Sequence, residues 1–254
     1  MIRTIAAIAL AAEATTPPAA PAVPDPEPPL VVAILAHPDD EMPMAPALAA
    51  LARAGHFVRL VYATSGDAGP GVSGMDKGEA LGALRRGEAD CAGKALGARE
   101  VVHMGRGDGT LAGQVMGQPG TQGTLAHALL DHVAGADLVL TWGPDGGYGH
   151  ADHRVVSALT AQIAAGQPAD TRPRVLYFGI AQGRATALPP IANWAETDPA
   201  LLTASIAYSP ADLAATHAAI QCHVSQFDAP TRAGMAAAFD AAIWQGKVDF
   251  RPAL

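Results

Sequence analysis

Five short apolar runs recur along this chain, at 31–36, 57–63, 100–104, 137–142 and 174–180, and helix-period segments separate them at 44–54, 77–97, 122–134 and 153–165. A further helical pattern falls at 210–224. Parallel strand pairs need a crossover, and a right-handed crossover through a helix covers the sheet as it returns. The alternation therefore predicts an α/β fold, a parallel sheet with helices on both faces. Alanine and glycine are abundant while aromatics make up 5% of residues, so the helices should pack close to the sheet. In such sheets ligands bind beyond the carboxyl ends of the strands. The chemistry is therefore to be sought just after each apolar run.

Two of those positions carry histidines and carboxylates. Ala36-His37-Pro38-Asp39-Asp40-Glu41 follows the first run. Proline is tolerated one residue into a new helix, because that N–H would be unpaired anyway. On such a helix His37 and Asp40, three apart, share one face, while Asp39 points elsewhere and stays free. Tyr148-Gly149-His150-Ala151-Asp152-His153 follows the fourth run through the turn-rich Gly143-Pro144-Asp145-Gly146-Gly147. A site of His37, Asp40 and either His150 or His153 is expected, with an open position for water. Two histidines and one carboxylate form a catalytic zinc set, and the same ligands suit Fe2+.

Other features have competing readings. An Asp-Asp pair after a strand commonly does no more than cap a helix; the second histidine block is what favours a metal. Pro43 and Pro46 fall where the first helix should continue, so that helix either restarts near Met44–Ala47 or has an irregular first turn. On the 77–97 helix, Leu81, Leu84, Cys91, Ala92 and Ala95 define an apolar stripe with Glu88 inside it. Arg85 is placed either to pair with Glu88 or to reach the pocket. His223 lies beside the apolar face of the last helix, where core packing and substrate contact are equally open. Gly69-Pro70-Gly71-Val72-Ser73-Gly74 matches a dinucleotide fingerprint. It lies inside a longer loop, 65–75, and not in a first strand-to-helix turn, so it reads as a mobile loop beside the pocket. No serine-hydrolase elbow or P-loop string occurs.

The two histidine blocks, in this order and at strand ends, resemble the PIG-L/LmbE-like family of metal-dependent N-deacetylases. The resemblance runs from about Val31 to Gln226 and takes in Arg85-x-x-Glu88, Asp108-Gly109 and His223-x-Ser225-Gln226. It implies a zinc site of His37, Asp40 and His153, with Asp39 as general base. It further implies that His150 and Tyr148 face the oxyanion, that Asp152 tunes His150, and that Arg85 and Asp108 meet substrate hydroxyls. The expected fold becomes a single-domain, Rossmann-like one.

The amino terminus differs in character. Met1-Ile2-Arg3-Thr4 and the apolar stretch 5–12 have the form of a secretory signal, with Ala12-Glu13-Ala14 or Ala20-Pro21-Ala22 as cleavage sites. A signal over 1–22, a Pro-rich linker over 23–29 and one catalytic domain over 30–254 are expected, in a periplasmic or secreted protein; a cytoplasmic enzyme with a loose tail is the alternative. Cys91 and Cys222 are the only cysteines. They form either one disulfide or two small helix residues, and with no CxxC partner they exclude a cysteine zinc site. The net charge of −8, with 16 basic against 24 acidic residues, argues against nucleic acid as a partner. No run of 18 apolar residues exists to span a membrane.

The expected activity is zinc-dependent removal of an N-acyl group, foremost acetyl, from an amino sugar or glycoconjugate. The competing expectation is a noncatalytic carbohydrate-binding protein that keeps the metal pocket. The aperiodic segment Ala181–Ser205 is expected at the mouth of the pocket, where it would set specificity.

Overall fold

The computed structural model describes residues 27–113 and 119–254. The candidate leader at 1–22 and linker residues 23–26 lie outside the described residues. The elements are β1 (Leu30–Leu35), α1 (Ala45–Arg53), β2 (Phe57–Thr64), α2 (Glu79–Leu96), β3 (Glu100–Arg106), α3 (Pro119–Val133), β4 (Leu138–Thr141), α4 (Ala151–Ala165), β5 (Arg174–Phe178), β6 (Ala204–Ala207), α5 (Pro210–Cys222), α6 (Ala229–Phe239) and β7 (Lys247–Pro252). All five expected strands and the expected helices are present.

The sheet has seven strands in the order β3-β2-β1-β4-β5-β7-β6. The first five strands in sequence are mutually parallel. The sheet is not wholly parallel as expected: β7 runs antiparallel to both β5 and β6 and makes it mixed. Sequence periodicity missed this pair because β6 is only four residues, Ala-Ser-Ile-Ala, and β7 carries charges at Lys247, Asp249 and Arg251. Those charges are absorbed locally, since Asp249 accepts from Lys247 at 2.6 Å while Val248 and Phe250 are fully buried.

Strand alternation divides the core into two layers. Val31, Ala33 and Leu35 of β1 face one cluster with Leu48, Ala89, Ala92 and Trp244; Val32 and Ile34 face another with Leu125, Leu129, Val156 and Leu159. Helices therefore cover both faces of a single domain. The packing is close: a methyl on Gly93 of α2 would come within 2.4 Å of the Val101 side chain. The buried face of α2 is rotated from the predicted stripe. Leu81, Arg85, Glu88, Ala92 and Leu96 are buried, while Leu84 is 37% exposed.

Cys91 and Cys222 are joined in a disulfide that ties α2 to the last residue of α5. Strand order reverses at β1, which has β2 on one side and β4 on the other. The crevice between the carboxyl ends of β1 and β4 is thus a topological switch point. Both histidine blocks open into it.

Candidate metal centre

The chain after β1 does not begin a helix at Pro38. Residues 36–41 form a turn, a 3-10 turn follows at Met42–Met44, and α1 starts at Ala45 with Pro46 in its first turn. Pro43 and Pro46 each sit where the N–H needs no helical partner, which is why two prolines fit here. Asp40 closes the turn: its Oδ2 accepts from the backbone N–H of Ala36 at 3.0 Å and of His37 at 2.7 Å. Its Oδ1 is thereby aimed across the crevice.

Asp39 has φ 101°, a left-handed conformation that a non-glycine residue adopts at a cost of about 1–3 kcal/mol. Distant groups hold it there. Arg85 donates to the Pro38 carbonyl at 2.6 Å and lies 3.3 Å from the Asp39 carboxylate. The Asp39 N–H donates to Glu41 at 3.1 Å. Glu41 is fully buried between the Tyr62 hydroxyl at 2.9 Å and His223 Nε2 at 2.5 Å. Burial lowers the His223 pKa, but the Glu41 charge outweighs it and the net shift is upward; burial raises Glu41, and His223 reverses that. His223 thus forms a buried ion pair.

The block after β4 is organised locally. Gly146, Gly147 and Gly149 have positive φ, and a Cβ on Gly147 would strike the Trp142 ring at 2.3 Å. This loop turns the Gly146 carbonyl onto His153 Nδ1 at 3.1 Å. His150 is the N-cap of α4, its Nδ1 accepting from the Asp152 N–H at 3.2 Å. Trp142 stacks on His153 with ring centroids 4.9 Å apart.

The two blocks meet. His153 Nε2 lies 2.9 Å from Asp40 Oδ1 and 3.2 Å from His37 Nδ1, and His37 Nδ1 is 3.4 Å from Asp40 Oδ2. The hydrogen bond to Gly146 assigns the neutral His153 proton to Nδ1 and leaves Nε2 a lone-pair donor. A carboxylate oxygen and imidazole lone pairs so close repel unless a proton or cation lies among them. Metal–ligand bonds of about 2.0–2.2 Å at tetrahedral angles separate ligand atoms by roughly 3.3 Å, so the spacing fits a divalent ion. Among the described residues, His37, His150 and His153 also bring ring nitrogens within 4.8 Å of one another, as do His37, Asp108 and Asp152 with their ligand atoms. His153 is the histidine that contacts Asp40.

The electrostatics follow this arrangement. Burial opposes the charge on Asp40, but His153 and His37 hold its pKa well below the usual range. Burial likewise works against His37, yet Asp40, Asp108 and Asp152 raise it well above a free imidazole. Asp39 is pushed up to about 6 by burial, against the pull of Arg85. His150 is lowered, by burial first and then by the neighbouring His37 and His153.

The remaining predicted residues surround this core with partners of their own. Asp108 lies 3.0 Å from His37 Nε2 and accepts from the Ala68 N–H. Asp152 is fully buried; its carboxylate takes the N–H groups of Gly109 at 2.8 Å and Leu111 at 3.1 Å, so it anchors the loop after β3, and only its backbone bonds to His150. Tyr148, 46% exposed, stands at the mouth with its ring 5.4 Å from that of His153 and 5.8 Å from that of His150; burial and nearby carboxylates raise its pKa.

Arg85 does not pair with Glu88. It bonds to the carbonyls of Pro38, Gly66 and Gly69, whereas Glu88 accepts twice from Ser225 at 2.7 Å. The 65–75 loop is pinned, not free: Val72 N–H donates to the Ser225 carbonyl and Gln226 to that of Gly69. The sequence reading missed Tyr62 and Trp142. Of these two, Trp142 carried a signal, being the last residue of an apolar run that ends beside the histidine block. Trp194 enters from the 181–205 segment, which reaches the mouth as expected: Ala195 N–H donates to the Gly147 carbonyl, and the Trp194 ring lies 5.8 Å from Tyr148.

Residues 32–164 match the family described as PIG-L, GlcNAc-PI de-N-acetylase. A 1D-myo-inositol 2-acetamido-2-deoxy-alpha-D-glucopyranoside deacetylase from Nakamurella multipartita is 35% identical over 58% of this chain and 58% of its own length. The chain spans about half the length of the curated relatives it matches. Among solved structures, N,N'-diacetylchitobiose deacetylase from Pyrococcus horikoshii superposes with TM-score 0.65 at 18% identity, covering 88% of this chain and 83% of that one. GalB, the 4-carboxy-2-hydroxymuconate hydratase from Pseudomonas putida, superposes with TM-score 0.58 at 17% identity over 90% and 96%. At such identities the likeness is one of fold, and the fold carries more than one chemistry.

Proposed function

The chain belongs to the PIG-L family of GlcNAc-PI de-N-acetylases, and from that premise we propose that it is a metal-dependent hydrolase that removes an N-acyl group, foremost acetyl, from an amino sugar or glycoconjugate. The observation that carries this reading is the triangle of lone-pair donors on His37, Asp40 and His153 beside an acid, Asp39, that is not part of it. Zn2+ is the ion we assign to the triangle, with Fe2+ as the alternative. When bound, such an ion polarises the amide carbonyl and acidifies water.

The residues then divide the work. Asp39, with a pKa of about 6, is poised to take the proton of the attacking water and to pass it to the departing nitrogen as the C–N bond breaks. His150, its Nδ1 already accepting from Asp152, presents Nε2–H to the oxygen that gains charge, and its lowered pKa favours the neutral, donating form. Tyr148 offers a second donor at the mouth. Asp108 is placed for a substrate hydroxyl. Arg85 is 3% exposed and committed to three carbonyls and Asp39, which supports a role on substrate exerted through Asp39.

We further assign the protein to an oxidising compartment, periplasmic or extracellular. The Cys91–Cys222 disulfide and the signal-like amino terminus support this. Sequencing the amino terminus of the protein recovered from its host tests it: an intact Met1 argues for the cytoplasm.

The activity is tested by amine release from N-acetylglucosamine conjugates, with and without a chelator, and in Asp39→Asn. Loss in both, with restoration by Zn2+ or Fe2+ after chelation, is expected. Undiminished activity in both would sink the mechanism, and sugar binding without turnover by the metal-loaded protein would favour a noncatalytic role.

A further inference from the structure

We infer that this protein holds, beside the metal centre, a subsite for an apolar chain carried by its substrate. The inference rests on the amino-sugar reading above and deepens it. A cavity of about 550 Å³ lies there, walled by Met42, Ile191, Trp194, Phe227, Met235 and Phe239 among others. That is the size range of small-molecule sites.

Two observations join the cavity to the reaction site. Met42 directly follows the 36–41 turn. Trp194 is a shared wall, with its ring 5.8 Å from Tyr148 on the catalytic side and 6.2 Å from Phe239 on the cavity side. The segment that supplies Trp194 also supplies Leu188 and Ile191, so the aperiodic stretch expected to set specificity forms one side of the cavity.

The lining chemistry names the occupant. Every described wall residue is uncharged. The indole N–H of Trp244 is already given to the Pro43 carbonyl at 2.8 Å. Thr231, at the start of α6, brings the one side-chain hydroxyl among the described wall residues. A sugar ring would lose its hydrogen bonds to water here and find almost none in return. An alkyl or acyl chain loses nothing, and each methylene moved out of water is worth about 0.8 kcal/mol, a factor of roughly four. The amino sugar then sits at the metal and its chain passes Trp194 into the cavity.

The chain could be the aglycone or the acyl group, and two substrate series separate these sources. One is a set of n-alkyl glycosides of N-acetylglucosamine, methyl to octyl; the other is a set of N-acylglucosamines, acetyl to octanoyl. In one series kcat/KM should rise roughly fourfold per methylene until the cavity is filled. Gly234 lies in the wall, and a methyl group on its Cα would meet nothing within 4 Å, so Gly234→Phe should collapse the ratio of long- to short-chain kcat/KM towards one. Ala238→Leu, a smaller intrusion on the same helix, should lower that ratio partially and guards against a folding defect in the first variant.

Binding is read separately with n-octyl glucoside, which has no amide to hydrolyse, by calorimetry and by the fluorescence of Trp194 and Trp244. Binding that Gly234→Phe abolishes supports the subsite even if no N-acyl sugar is turned over, in which case the hydrolase reading alone fails. Flat rates in both series and no octyl glucoside binding overturn the subsite while leaving the hydrolase intact. A dimer in gel filtration that excludes octyl glucoside would assign the cavity to a second copy of this chain and overturn it too.

Discussion

The turn after β1 and the loop after β4 deliver their side chains to the same point with a different balance of local and distant support. Residues 36–41 are closed by Asp40 on the Ala36 and His37 N–H groups and then braced from outside, by Arg85 of α2, Tyr62 of β2 and His223 just beyond α5, and the backbone at Asp39 is one that non-glycine residues avoid. Residues 146–153 are organised mainly from within, through glycines at positive φ, the Gly146 carbonyl on His153 and the His150 cap, with Trp142 and the Ala195 N–H bracing them. The difference separates two tasks. Orienting a side chain can be left largely to neighbours in sequence, whereas holding the Asp39 carboxylate apart from the Asp40–His153 contact, with burial pushing its pKa up to about 6, draws on groups from α2, β2 and the end of α5.

The largest effects should come from striking the shared point. His153→Ala is expected to abolish both metal retention and amine release, read by metal analysis and by assay on the same sample. Asp39→Asn should lower kcat by about 100- to 10,000-fold while the metal content stays unchanged; a parallel loss of metal would show that the two carboxylates of the turn are not divided as we describe. These two variants test whether both segments truly serve one ion.

The next prediction sets the outside supports against the local ones. Glu41→Ala leaves His223 buried without its partner and should cost about 3–5 kcal/mol of stability, read as a fall in the denaturant midpoint. His150→Ala removes a cap on α4 and should cost only about 1 kcal/mol, yet slow kcat by roughly 100- to 1,000-fold. If the two variants destabilised equally, the contrast between the segments would be lost. The smallest expected change in rate comes from reducing the Cys91–Cys222 disulfide, which should cost about 2–4 kcal/mol of stability. Because Cys222 immediately precedes His223, reduction should also lower kcat modestly, whereas a wholly remote staple would leave kcat unchanged.

The alternation of apolar runs and helical patterns made the parallel part of the sheet legible, because a strand buried on both faces leaves little room for polar residues. The antiparallel β6–β7 pair was not, since its charges are neutralised by partners such as Lys247 with Asp249 that pattern alone does not reveal. The ligand candidates could be named because metal chemistry confines them to a few residue types at strand ends. The conformation carrying them was legible in part: Pro43 and Pro46 signalled a helix restarting near Met44–Ala47, and α1 does begin at Ala45, but residues 36–41 form a turn and no helix starts at Pro38, because the Asp40 carboxylate captures two backbone N–H groups. Arg85 and Glu88 had the spacing of a pair and took other partners, since Pro38, Gly66, Gly69 and Ser225 arrive from elsewhere in the fold.

By itself, the sequence determined the α/β architecture, the two histidine-bearing segments and the strand ends on which they stand, all of which depend on periodicity and residue type within a short window. The residues alone left His150 and His153 both open, and the family resemblance pointed to His153, which does contact Asp40; only the tertiary structure decided that Asp39 is raised towards neutrality, that the two cysteines join, and that an apolar cavity opens past Trp194. Each of these is a property of distance and burial among groups far apart in the chain. Such distances are set by how whole layers pack, and no local pattern encodes them.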